Sequence, residues 1–364
     1  MKKALRLAKK GLGRTSPNPV VGAMIVRDGN IIATGYHKKA GGAHAEVEAL
    51  ADLQGEVGKE DVLYVTLEPC NHYGRTPPCT EAILQRGIRK VVVGMMDPNP
   101  DVTGGGCAFL AQRGVEVKTG VLESECRQLN EVFIKHATTG LPFVTAKSAL
   151  TLDGWTATGT GHSRWVTNER SRRFVHRLRD RMDGLMVGIG TVLADDPSLT
   201  TRLDRRNGRD PARIIVDTHL RAPKNARVMT VDSTAPTILA VGEGVKAERI
   251  DILRKKGIIP LICPIKRGRI DLVALLTELG RMSITSIMAE GGATLMGSMI
   301  REGLVDKFYI FQAPKLLGGD DGVPMVSGPG PERMDQCLNL KDLRVRRFGN
   351  DILVRGYPDV HGTR

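Results

Sequence analysis

The chain has 364 residues, of which 41% are hydrophobic and 26% are charged, and its formal net charge at pH 7 is +13. Because a single hydrophobic core stops growing at about 250 to 300 residues, this length favours two domains. No run approaches the ~18 apolar residues of a spanning helix, and charges interrupt every apolar patch of the basic N-terminal segment, so we expect neither membrane insertion nor a secretory signal.

The number of cysteines indicates the cellular compartment, and the charge distribution indicates which half of the chain binds an anionic ligand. Six cysteines are few for this length, so we expect a cytoplasmic chain without a disulfide framework, in which only Cys70 and Cys79 share a loop. Lysines and arginines are spread rather than clustered, and they are densest at "NERSRRFVHRLRDR", residues 168–181. Residues 146–364 carry 35 basic and 25 acidic groups, a net charge of +10, so we expect this half to bind more of any anionic ligand.

The first half alternates helices and strands. The stretch "VVGAMIVRDGNIIATGY" is typical of a β-hairpin that turns at Asp28 and Gly29. The other predicted elements are helices over about 2–10, 43–53, 79–87, 107–114 and 123–138, and strands over 61–69, 89–97 and 115–120. The break "TTGLP" at 138–142 places a boundary near residue 141, so we predict an α/β layered domain over residues 1–141.

The second half, residues 142–364, repeats this alternation on a larger scale. Its predicted strands cover 143–150, 184–190, 212–218, 237–242, 258–263, 286–290, 307–313 and 351–356, and its predicted helices cover 168–180, 270–280 and 293–302. Such alternation favours a mostly parallel sheet with helices on both faces.

The segments "HAEVEA" and "EPCNHYGRTPPC" hold a candidate metal site. His44, Cys70 and Cys79 make three protein ligands, and catalytic zinc sites commonly keep a fourth position for water, whose pKa the metal lowers to roughly 7. Glu46 can take a proton from that water and deliver it to leaving ammonia. His-x-Glu followed by Pro-Cys-spacer-Cys is the signature of zinc-dependent base deaminases, although the spacer here is eight residues rather than two.

Two simpler interpretations stand beside the catalytic one. A lone His-x-Glu is usually part of a solvated helix face, and two nearby cysteines alone are usually buried thiols or part of a structural metal site. A structural site would need a fourth ligand such as His72, and it would leave Glu46 without a role. The eight residues between the cysteines, rich in Asn, His, Arg and Pro, look like substrate contacts.

The second half lacks the G-x-G-x-x-G fingerprint of a Rossmann dinucleotide site. "GIGTVL" has Leu193 where the third glycine would stand. In its place, "AEGGATLMGSMI" predicts a buried strand that ends at Glu290, a Gly291-Gly292 turn and then a helix. Such a turn can bind a cofactor pyrophosphate, and the simpler interpretation is a tight strand-to-helix turn. Thr191 and Asp195 follow another strand, where open α/β sheets place ligands.

The chain resembles the bifunctional riboflavin-biosynthesis pyrimidine deaminase and reductase family over nearly its whole length. The motifs that carry the resemblance are "SPNPVVGAMIV", "GYH", "AHAEVEAL", "YVTLEPCNHYGRTPPC", "MMDPNP", "LTLDG", "SRWVT", "GTVLADDPSLTTR", "AEGGATL" and "APKLLGG". The resemblance implies two three-layer α/β/α domains, the first like cytidine deaminase and the second like dihydrofolate reductase. It also implies one Zn²⁺ per chain, NADPH, and a phosphorylated pyrimidine as the substrate of both steps.

Those two steps are implied by the resemblance as well. The first is hydrolytic deamination of 2,5-diamino-6-(5-phosphoribosylamino)pyrimidin-4(3H)-one to 5-amino-6-(5-phosphoribosylamino)uracil. The second is reduction of the ribosyl group to ribityl by hydride transfer from NADPH. The protein is expected to supply orientation and protons.

In the first half, the resemblance implies zinc binding by His44, Cys70 and Cys79, with Glu46 as proton shuttle. The residues that it assigns to the pyrimidine and its ribose phosphate are Asn18, His37, Asn71, His72 and Arg75. Family members usually carry serine at the position of Asn71. A backbone contact would survive that change, whereas a hydroxyl contact would not.

In the second half, the resemblance assigns two sets of residues. Those facing NADPH are Ala149, Trp165, Thr191, Asp195, Gly291, Gly292, Ala293 and Thr294, within a turn that spans 291–297. Those facing the substrate are Lys147, Ser163, Arg179, Leu199, Arg202 and Glu290. Two arginines suit a ribose phosphate because guanidinium offers paired donors to phosphate oxygens.

Some of these residues have simpler interpretations. Lys147, Asp195 and Glu290 are candidates for handling the proton of the reduction, but Lys147 would equally pair with a carboxylate in the sheet. Arg179 would be a solvated position on a charged helix, as we expect for Arg177 and Arg181. Trp165 taken in isolation would be a core residue.

Two other functions are weighed against this one. A nucleic-acid base deaminase would share the first half, but the second half lacks the basic stripe with exposed aromatic residues that RNA binding needs, so we expect no nucleic-acid partner. A zinc-stabilised scaffold protein would be indifferent to Glu46→Gln. Because the family tends to self-associate, we expect a homo-oligomer, although no helix face in the sequence demands it.

Overall fold

The structure is a computed structural model in which residues 1–73, 77–99, 105–203 and 208–359 are described. It divides into two compact units, residues 1–141 and 142–364. Within the described ranges, no helix is both long enough and apolar enough to cross a bilayer.

The first unit contains a five-stranded mixed sheet with strand order β2-β1-β3-β4-β5. Its strands are β1 (Gly22–Arg27), β2 (Asn30–Tyr36), β3 (Val62–Leu67), β4 (Lys90–Met95) and β5 (Glu116–Lys118). Its helices are α1 (Lys2–Ala8), α2 (Ala45–Asp52), α3 (Cys79–Arg86), α4 (Gly106–Gln112), α5 (Glu123–Leu129) and α6 (Glu131–Thr139). Strand β1 is antiparallel to both β2 and β3, while β3, β4 and β5 run parallel.

Helices cover both faces of this sheet. A side chain at Gly22 would come within 2.2 Å of the carbonyl oxygen of Ala4, and one at Gly35 within 2.3 Å of that of Ala45, so α1 and α2 pack directly on these strands. Gly35 pairs with Ala23, the residue after Gly22, and consecutive strand residues face opposite sides. Helices α1 and α2 therefore lie on opposite faces, which confirms the predicted layered arrangement.

The predicted helix over 123–138 is two helices, α5 and α6, that meet at Asn130. Asn130 leaves the helical region with φ −103° and ψ 18°. Its buried side chain accepts a hydrogen bond from the Val20 N–H at 2.9 Å and donates one to the Val20 carbonyl at 3.1 Å. This pairing holds the segment that precedes β1, and the sequence pattern of the helix gave no sign of it.

The second unit contains a nine-stranded sheet with order β11-β10-β9-β8-β14-β6-β15-β18-β17, and two short two-stranded pairs, β12 with β13 and β7 with β16. Its strands are β6 (Phe143–Leu150), β7 (Trp155–Ala157), β8 (Gly184–Gly188), β9 (Ala212–Val216), β10 (Thr237–Gly242), β11 (Ile259–Cys263), β12 (Ile265–Lys266), β13 (Arg269–Ile270), β14 (Ser286–Ala289), β15 (Lys307–Gln312), β16 (Val323–Pro324), β17 (Leu340–Phe348) and β18 (Asp351–Pro358). Its helices are α7 (Glu169–Arg179), α8 (Ile189–Asp195), α9 (Arg227–Thr230), α10 (Ala247–Lys255), α11 (Leu272–Arg281) and α12 (Ala293–Arg301).

The seven strands from β11 to β15 are parallel, and β18 and β17 extend the sheet in antiparallel fashion. Consecutive residues of β8, β9 and β10 are buried, so both faces of the sheet are covered, as the sequence predicts. Residues of α7, α8 and α10 share one apolar core with these strands. The sequence pattern did not predict α8, α10 or β17, and the strand expected over 184–190 ends at Gly188 because α8 begins at Ile189.

Candidate active sites

Three elements of the first unit bring the predicted zinc ligands together. His44 is the residue before α2, Cys70 follows the end of β3, and Cys79 is the first residue of α3. The Nδ1 of His44 lies 3.2 Å from the Cys79 Sγ and 3.4 Å from the Cys70 Sγ. Tetrahedral zinc with bonds of about 2.3 Å to sulfur and about 2.0 Å to nitrogen places its ligand atoms about 3.5 to 3.8 Å apart. The donor set and its spacing therefore fit zinc.

The charges of this site depend on the two thiols. The Cys70 pKa is lowered to about 4, mainly because the Cys79 thiol donates to its sulfur, and the backbone N–H of Cys79 donates to the same sulfur at 3.4 Å. The pKa of Cys79 is correspondingly raised. Glu46 is 3% exposed, and burial raises its pKa to about 7, with a further contribution from the negative charge of Cys70. A carboxyl group with such a pKa is suited to proton transfer near neutral pH.

Asn18 and His37 adjoin the metal ligands. His37 is buried, its ring meets the His44 ring edge-on at 5.5 Å between centroids, and its Nδ1 donates to the Ala43 carbonyl at 2.9 Å. Its Nε2 therefore accepts from the Asn18 side chain at 3.2 Å. Burial lowers the pKa of His37 and favours this neutral ring. The structure thus joins "PNP", "GYH" and "HAE" in one contact chain.

The segment between the two cysteines is only partly described. The Asn71 side-chain oxygen accepts a hydrogen bond from the Thr80 hydroxyl at 2.8 Å, which ties this segment to α3, and His72 is exposed. Arg75 lies outside the described residues. The roles of Asn71, His72 and Arg75 in substrate binding stay predictions.

Glu68 is a residue of the "EPC" motif whose part in the site the sequence analysis missed. Its buried carboxylate accepts hydrogen bonds from the backbone N–H groups of Asp97 at 3.1 Å and Cys107 at 3.0 Å. It therefore joins Asp97, which follows β4, to Cys107 in α4. A glutamate at the end of a buried strand is the only sequence signal for this role.

The second unit contains a cleft of about 1770 Å³. All of the residues predicted for the cofactor and substrate of this half line it: Lys147, Ala149, Ser163, Trp165, Arg179, Thr191, Asp195, Leu199, Arg202, Glu290, Gly291, Gly292, Ala293 and Thr294. The cleft lies at the carboxyl ends of β8 and β14, which are neighbours in the sheet and are followed by α8 and α12. Open α/β sheets bind ligands in such a crevice.

The glycine turn after β14 presents backbone at the cleft. Gly291 has φ +115°, a conformation that a side chain would strain, and α12 begins two residues later. The Gly292 N–H donates to the Thr191 hydroxyl at 3.0 Å, which locks this turn to α8. Glycines without side chains at the start of a nine-residue helix fit the close approach of a pyrophosphate.

A buried ion-pair network occupies the cleft beside this turn. Arg179 donates from Nε and Nη2 to the two carboxylate oxygens of Glu290, at 2.7 and 2.8 Å, and Lys147 lies 3.8 Å from the same carboxylate. The positive charges of Arg179 and Lys147 outweigh burial and lower the Glu290 pKa to about 2. The interpretation of Arg179 as a solvated position is thus wrong, whereas Lys147 does pair with a carboxylate at the sheet.

The segment 198–202 carries two of the predicted substrate residues. Leu199 is buried with φ +50°, and the exposed Arg202 donates from Nη2 to the Ser198 hydroxyl at 2.8 Å. The carbonyl of Thr200 accepts from Arg179 Nη1 at 2.9 Å. One arginine therefore joins this segment to the Glu290 carboxylate.

Trp165 is 57% exposed, so the interpretation of this side chain as a core residue is wrong. The Arg172 guanidinium stacks 4.3 Å from its ring centroid, and the Lys315 ammonium donates to its carbonyl at 2.6 Å. Asp195, at the end of α8, has a pKa raised by burial. The exposed aromatic ring of Trp165 in the cleft can stack on a flat ligand.

Sequence reasoning missed several other residues of this cleft. His176 lies one helical turn before Arg179, and a lone histidine on a basic helix gives little signal. Cations that line the cleft beyond the end of β9 include Arg221, Lys266, Arg267 and Arg269. Arginines and lysines scattered over a loop and the β12–β13 hairpin have no common spacing that a sequence pattern would reveal.

Family models match both halves of the chain. Residues 1–95 match the cytidine and deoxycytidylate deaminase zinc-binding region, and residues 142–354 match the RibD C-terminal domain. Together with the two sites, these matches define an enzyme that combines a zinc-binding deaminase unit and a reductase unit in one chain. Such a combination implies zinc and a nicotinamide cofactor.

Full-length relatives identify the family. The riboflavin biosynthesis protein RibD of Actinobacillus pleuropneumoniae is 42% identical over 97% of this chain and 93% of its own length, and that of Escherichia coli is 40% identical over 97% of each chain. The chain belongs to the RibD family and is a bifunctional deaminase and reductase of riboflavin biosynthesis. This confirms the resemblance seen in the sequence.

Two solved structures of related proteins have a similar fold. A diaminohydroxyphosphoribosylaminopyrimidine deaminase/5-amino-6-(5-phosphoribosylamino)uracil reductase from Thermotoga maritima is 36% identical, with a TM-score of 0.85 over 98% of this chain and 97% of its own. RibD from Acinetobacter baumannii is 39% identical, with a TM-score of 0.86 over the same shares. The predicted fold class of both halves is confirmed.

Proposed function

We propose that this chain catalyses two consecutive reactions on one phosphorylated pyrimidine. Residues 1–141 deaminate 2,5-diamino-6-(5-phosphoribosylamino)pyrimidin-4(3H)-one with one zinc ion per chain. Residues 142–364 then reduce the ribosyl group of 5-amino-6-(5-phosphoribosylamino)uracil to ribityl with NADPH. The Thermotoga maritima relative, a diaminohydroxyphosphoribosylaminopyrimidine deaminase and 5-amino-6-(5-phosphoribosylamino)uracil reductase, supports this assignment. This proposal rests on two features of one chain. The first unit has three candidate zinc ligands beside the buried Glu46, and the second unit has a cleft at the carboxyl ends of two neighbouring strands.

In the deaminase step, His44, Cys70 and Cys79 hold the zinc ion. Zinc bound there supplies a polarised water as the nucleophile. Glu46 would accept a proton from the attacking water and pass it to the departing amino group, so that a C–O bond replaces the C–N bond of the ring amidine and ammonia leaves. Burial of Glu46 excludes competing solvent from that proton transfer.

The pyrimidine ring is held on the side of the site built by Asn18 and His37. The hydrogen bond between them fixes the direction of the Asn18 amide, so its remaining donor and acceptor are oriented for a ring nitrogen or carbonyl. Asn71 and His72 belong to the segment between the cysteines and contact the ribose phosphate, and Arg75 is assigned to the same group from its motif alone.

In the reductase unit, the turn Gly291–Thr294 and Thr191 cradle the pyrophosphate of the cofactor, while Ala149, Trp165 and Asp195 line the nicotinamide end. The bound cofactor supplies a hydride to the sugar carbon. NADPH rather than NADH is favoured because the part of the cleft beyond the end of β9 carries Arg221, Lys266, Arg267 and Arg269, which suit an additional phosphate.

The substrate occupies the part of the cleft lined by Lys147, Ser163, Arg179, Leu199, Arg202 and Glu290. Arg202 is exposed and directs its guanidinium to the ribose phosphate, whereas Arg179 is held in its pair with Glu290 and orients the segment 198–202. Lys147 is the proton donor that this geometry favours, because it is the ammonium group beside the Glu290 carboxylate.

The test is incubation of the purified protein with the diaminopyrimidine, with and without NADPH, followed by mass spectrometry. Without NADPH we expect release of ammonia and a gain of about one mass unit, as NH is replaced by O. With NADPH we expect a further gain of about two units, from a hydride and a proton. A product that gains mass only in the first step would overturn the reductase assignment, and an unchanged substrate would overturn the deaminase assignment.

The compartment, the oligomeric state and the kind of ligand belong to the same proposal. All six cysteines are free thiols in the structure, which supports a cytoplasmic, reducing location. We further propose a homo-oligomer, because Leu343 and Val345 are exposed on the edge strand β17, at 56% and 67%. The ligand is a small molecule rather than a nucleic acid, since the cations of the cleft surround the carboxyl ends of strands instead of forming an open stripe.

A further inference from the structure

His176 is a titratable residue of the reductase cleft that none of the assigned roles uses. It lies on α7, three residues before Arg179, so both side chains project from the same face of the helix. It lines the cleft together with the predicted substrate residues.

The ring nitrogen Nδ1 of His176 accepts a hydrogen bond from the backbone N–H of Arg202 at 3.2 Å. An Nδ1 that accepts cannot carry a proton, so the ring is neutral and its proton sits on Nε2. The surroundings favour this state, because partial burial and the cationic groups of Arg179, Arg202 and Lys147 lower the pKa of His176 to about 4, against an opposing effect of Glu290.

Helix α7 thereby fixes two backbone groups of the segment 198–202. Arg179 holds the carbonyl of Thr200 and His176 holds the N–H of Arg202, while the intervening N–H of Thr201 donates to the Asp210 carboxylate at 2.7 Å. Three successive residues are therefore tied by three different side chains. Arg202 is the only one of them whose own side chain is exposed toward the cleft.

We propose that His176 is a positioning residue of the reductase site, which holds the backbone of Arg202 so that its guanidinium meets the phosphate of the substrate. This inference rests on the proposed reductase function. It assigns to His176 no contact with the reacting atoms, so its loss weakens substrate binding more than it slows the chemical step.

Two substitutions separate the hydrogen bond from the packing of the ring. His176→Phe keeps a ring of similar shape and removes the acceptor. His176→Asn removes the ring but keeps an acceptor, because the Asn side-chain oxygen stands where Nδ1 stood. Arg177→Gln is the matched control, an exposed neighbour on the same helix that lies outside the cleft lining.

With the deaminated substrate and NADPH, we expect His176→Phe to raise the KM for substrate about 5- to 10-fold, as for one lost hydrogen bond, and to leave the KM for NADPH within about twofold. His176→Asn should restore the substrate KM to within about twofold of the original protein. Equal KM values in all three proteins, or a larger defect in His176→Asn than in His176→Phe, would overturn the proposal.

A second measurement, amide hydrogen exchange, tests whether residues 198–202 are held in place and does not depend on activity. Amide hydrogen exchange of a peptide that spans residues 198–202 should be faster in His176→Phe than in the original protein, and unchanged in His176→Asn and Arg177→Gln. Unchanged exchange in His176→Phe would overturn the proposal even if the KM rose. If the original protein reduced no substrate, the proposed function would fail while the exchange data still decided whether His176 holds the segment. The deamination rate of each variant monitors the folding of the first unit.

Discussion

The two sites differ in how many parts of the chain build them. The metal site of the first unit needs three side chains, whose ligand atoms lie within 4.8 Å of one another, from two short segments of sequence. The cleft of the second unit encloses about 1770 Å³ and draws on residues from position 147 to 329. A metal ion is recognised by a few side chains at fixed spacing, whereas a dinucleotide and its substrate are recognised over a broad surface that includes backbone.

The two buried glutamates sharpen this comparison. Burial raises the pKa of Glu46 to about 7, while Arg179 and Lys147 lower that of Glu290 to about 2. Glu46 is suited to exchange a proton, whereas Glu290 is suited to remain a fixed negative charge that orients cations. Two buried glutamates, one in the first turn of α2 and one after β14, thus serve different purposes because their neighbours differ.

The largest expected effect comes from removing one zinc ligand. Cys79→Ser should lose both zinc and ammonia release, because a site with two remaining protein ligands binds the metal weakly. Reduction of the deaminated substrate should persist, since it uses the other unit. Metal analysis, an ammonia assay and NADPH oxidation measure the three quantities. Cys337→Ser, a thiol of the second unit, is the control, and zinc retained in Cys79→Ser would remove Cys79 from the ligand set.

A smaller and more selective effect is expected for Glu46→Gln. The amide keeps the shape of the side chain but cannot accept the proton, so ammonia release should fall by about 10²- to 10⁴-fold while zinc stays bound. The control is Glu48→Gln on the same helix, where a surface pair with Lys38 is lost and the rate should stay within about twofold. Deamination retained in Glu46→Gln would exclude the proton-shuttle role of Glu46.

Breaking the ion pair of the second unit should change stability. Arg179→Met leaves the Glu290 carboxylate with a weaker partner, so we expect the free energy of unfolding of this unit to fall by about 3 to 5 kcal/mol. Both tryptophans, Trp155 and Trp165, belong to this unit, so denaturant titration followed by tryptophan fluorescence reports on it alone. Arg177→Met should change the value by less than about 0.5 kcal/mol. Equal losses in the two variants would show that the pair contributes little.

The smallest effect concerns pH and His176. Its pKa in the folded chain is about 4, below the ordinary value of 6.5, so between these values the unfolded chain binds more protons. The stability that His176 contributes is therefore fully present above pH 6.5 and is lost as pH falls toward 4. The difference in unfolding free energy between the original protein and His176→Phe should grow as pH rises through this window. A difference independent of pH would mean that the ring is not held neutral among Arg179, Arg202, Lys147 and Glu290.

The sequence predicted the metal site better than the cleft because of what each requires. His44, Glu46, Cys70 and Cys79 lie at the starts or ends of elements whose order is readable, and zinc demands cysteine and histidine. The Gly291-Gly292 turn was equally visible, but the residues alone left a pyrophosphate site and a tight strand-to-helix turn as alternatives. Helix α10 and strand β17 were missed because α10 has few apolar residues and β17 is exposed along most of its length.

By itself, the sequence determined the two α/β halves, the boundary near residue 141 and the residues fit to bind zinc, because local periodicity and ligand chemistry are properties of short segments. Only the tertiary structure decided that Arg179 is paired with Glu290, that Trp165 is exposed, that Asn130 holds Val20 and that His176 holds Arg202. The three contacts join residues that are far apart in the chain, and in two of them a side chain binds a backbone group. Their energies, like the exposure of Trp165, depend on burial and neighbouring charge, which no local sequence pattern records.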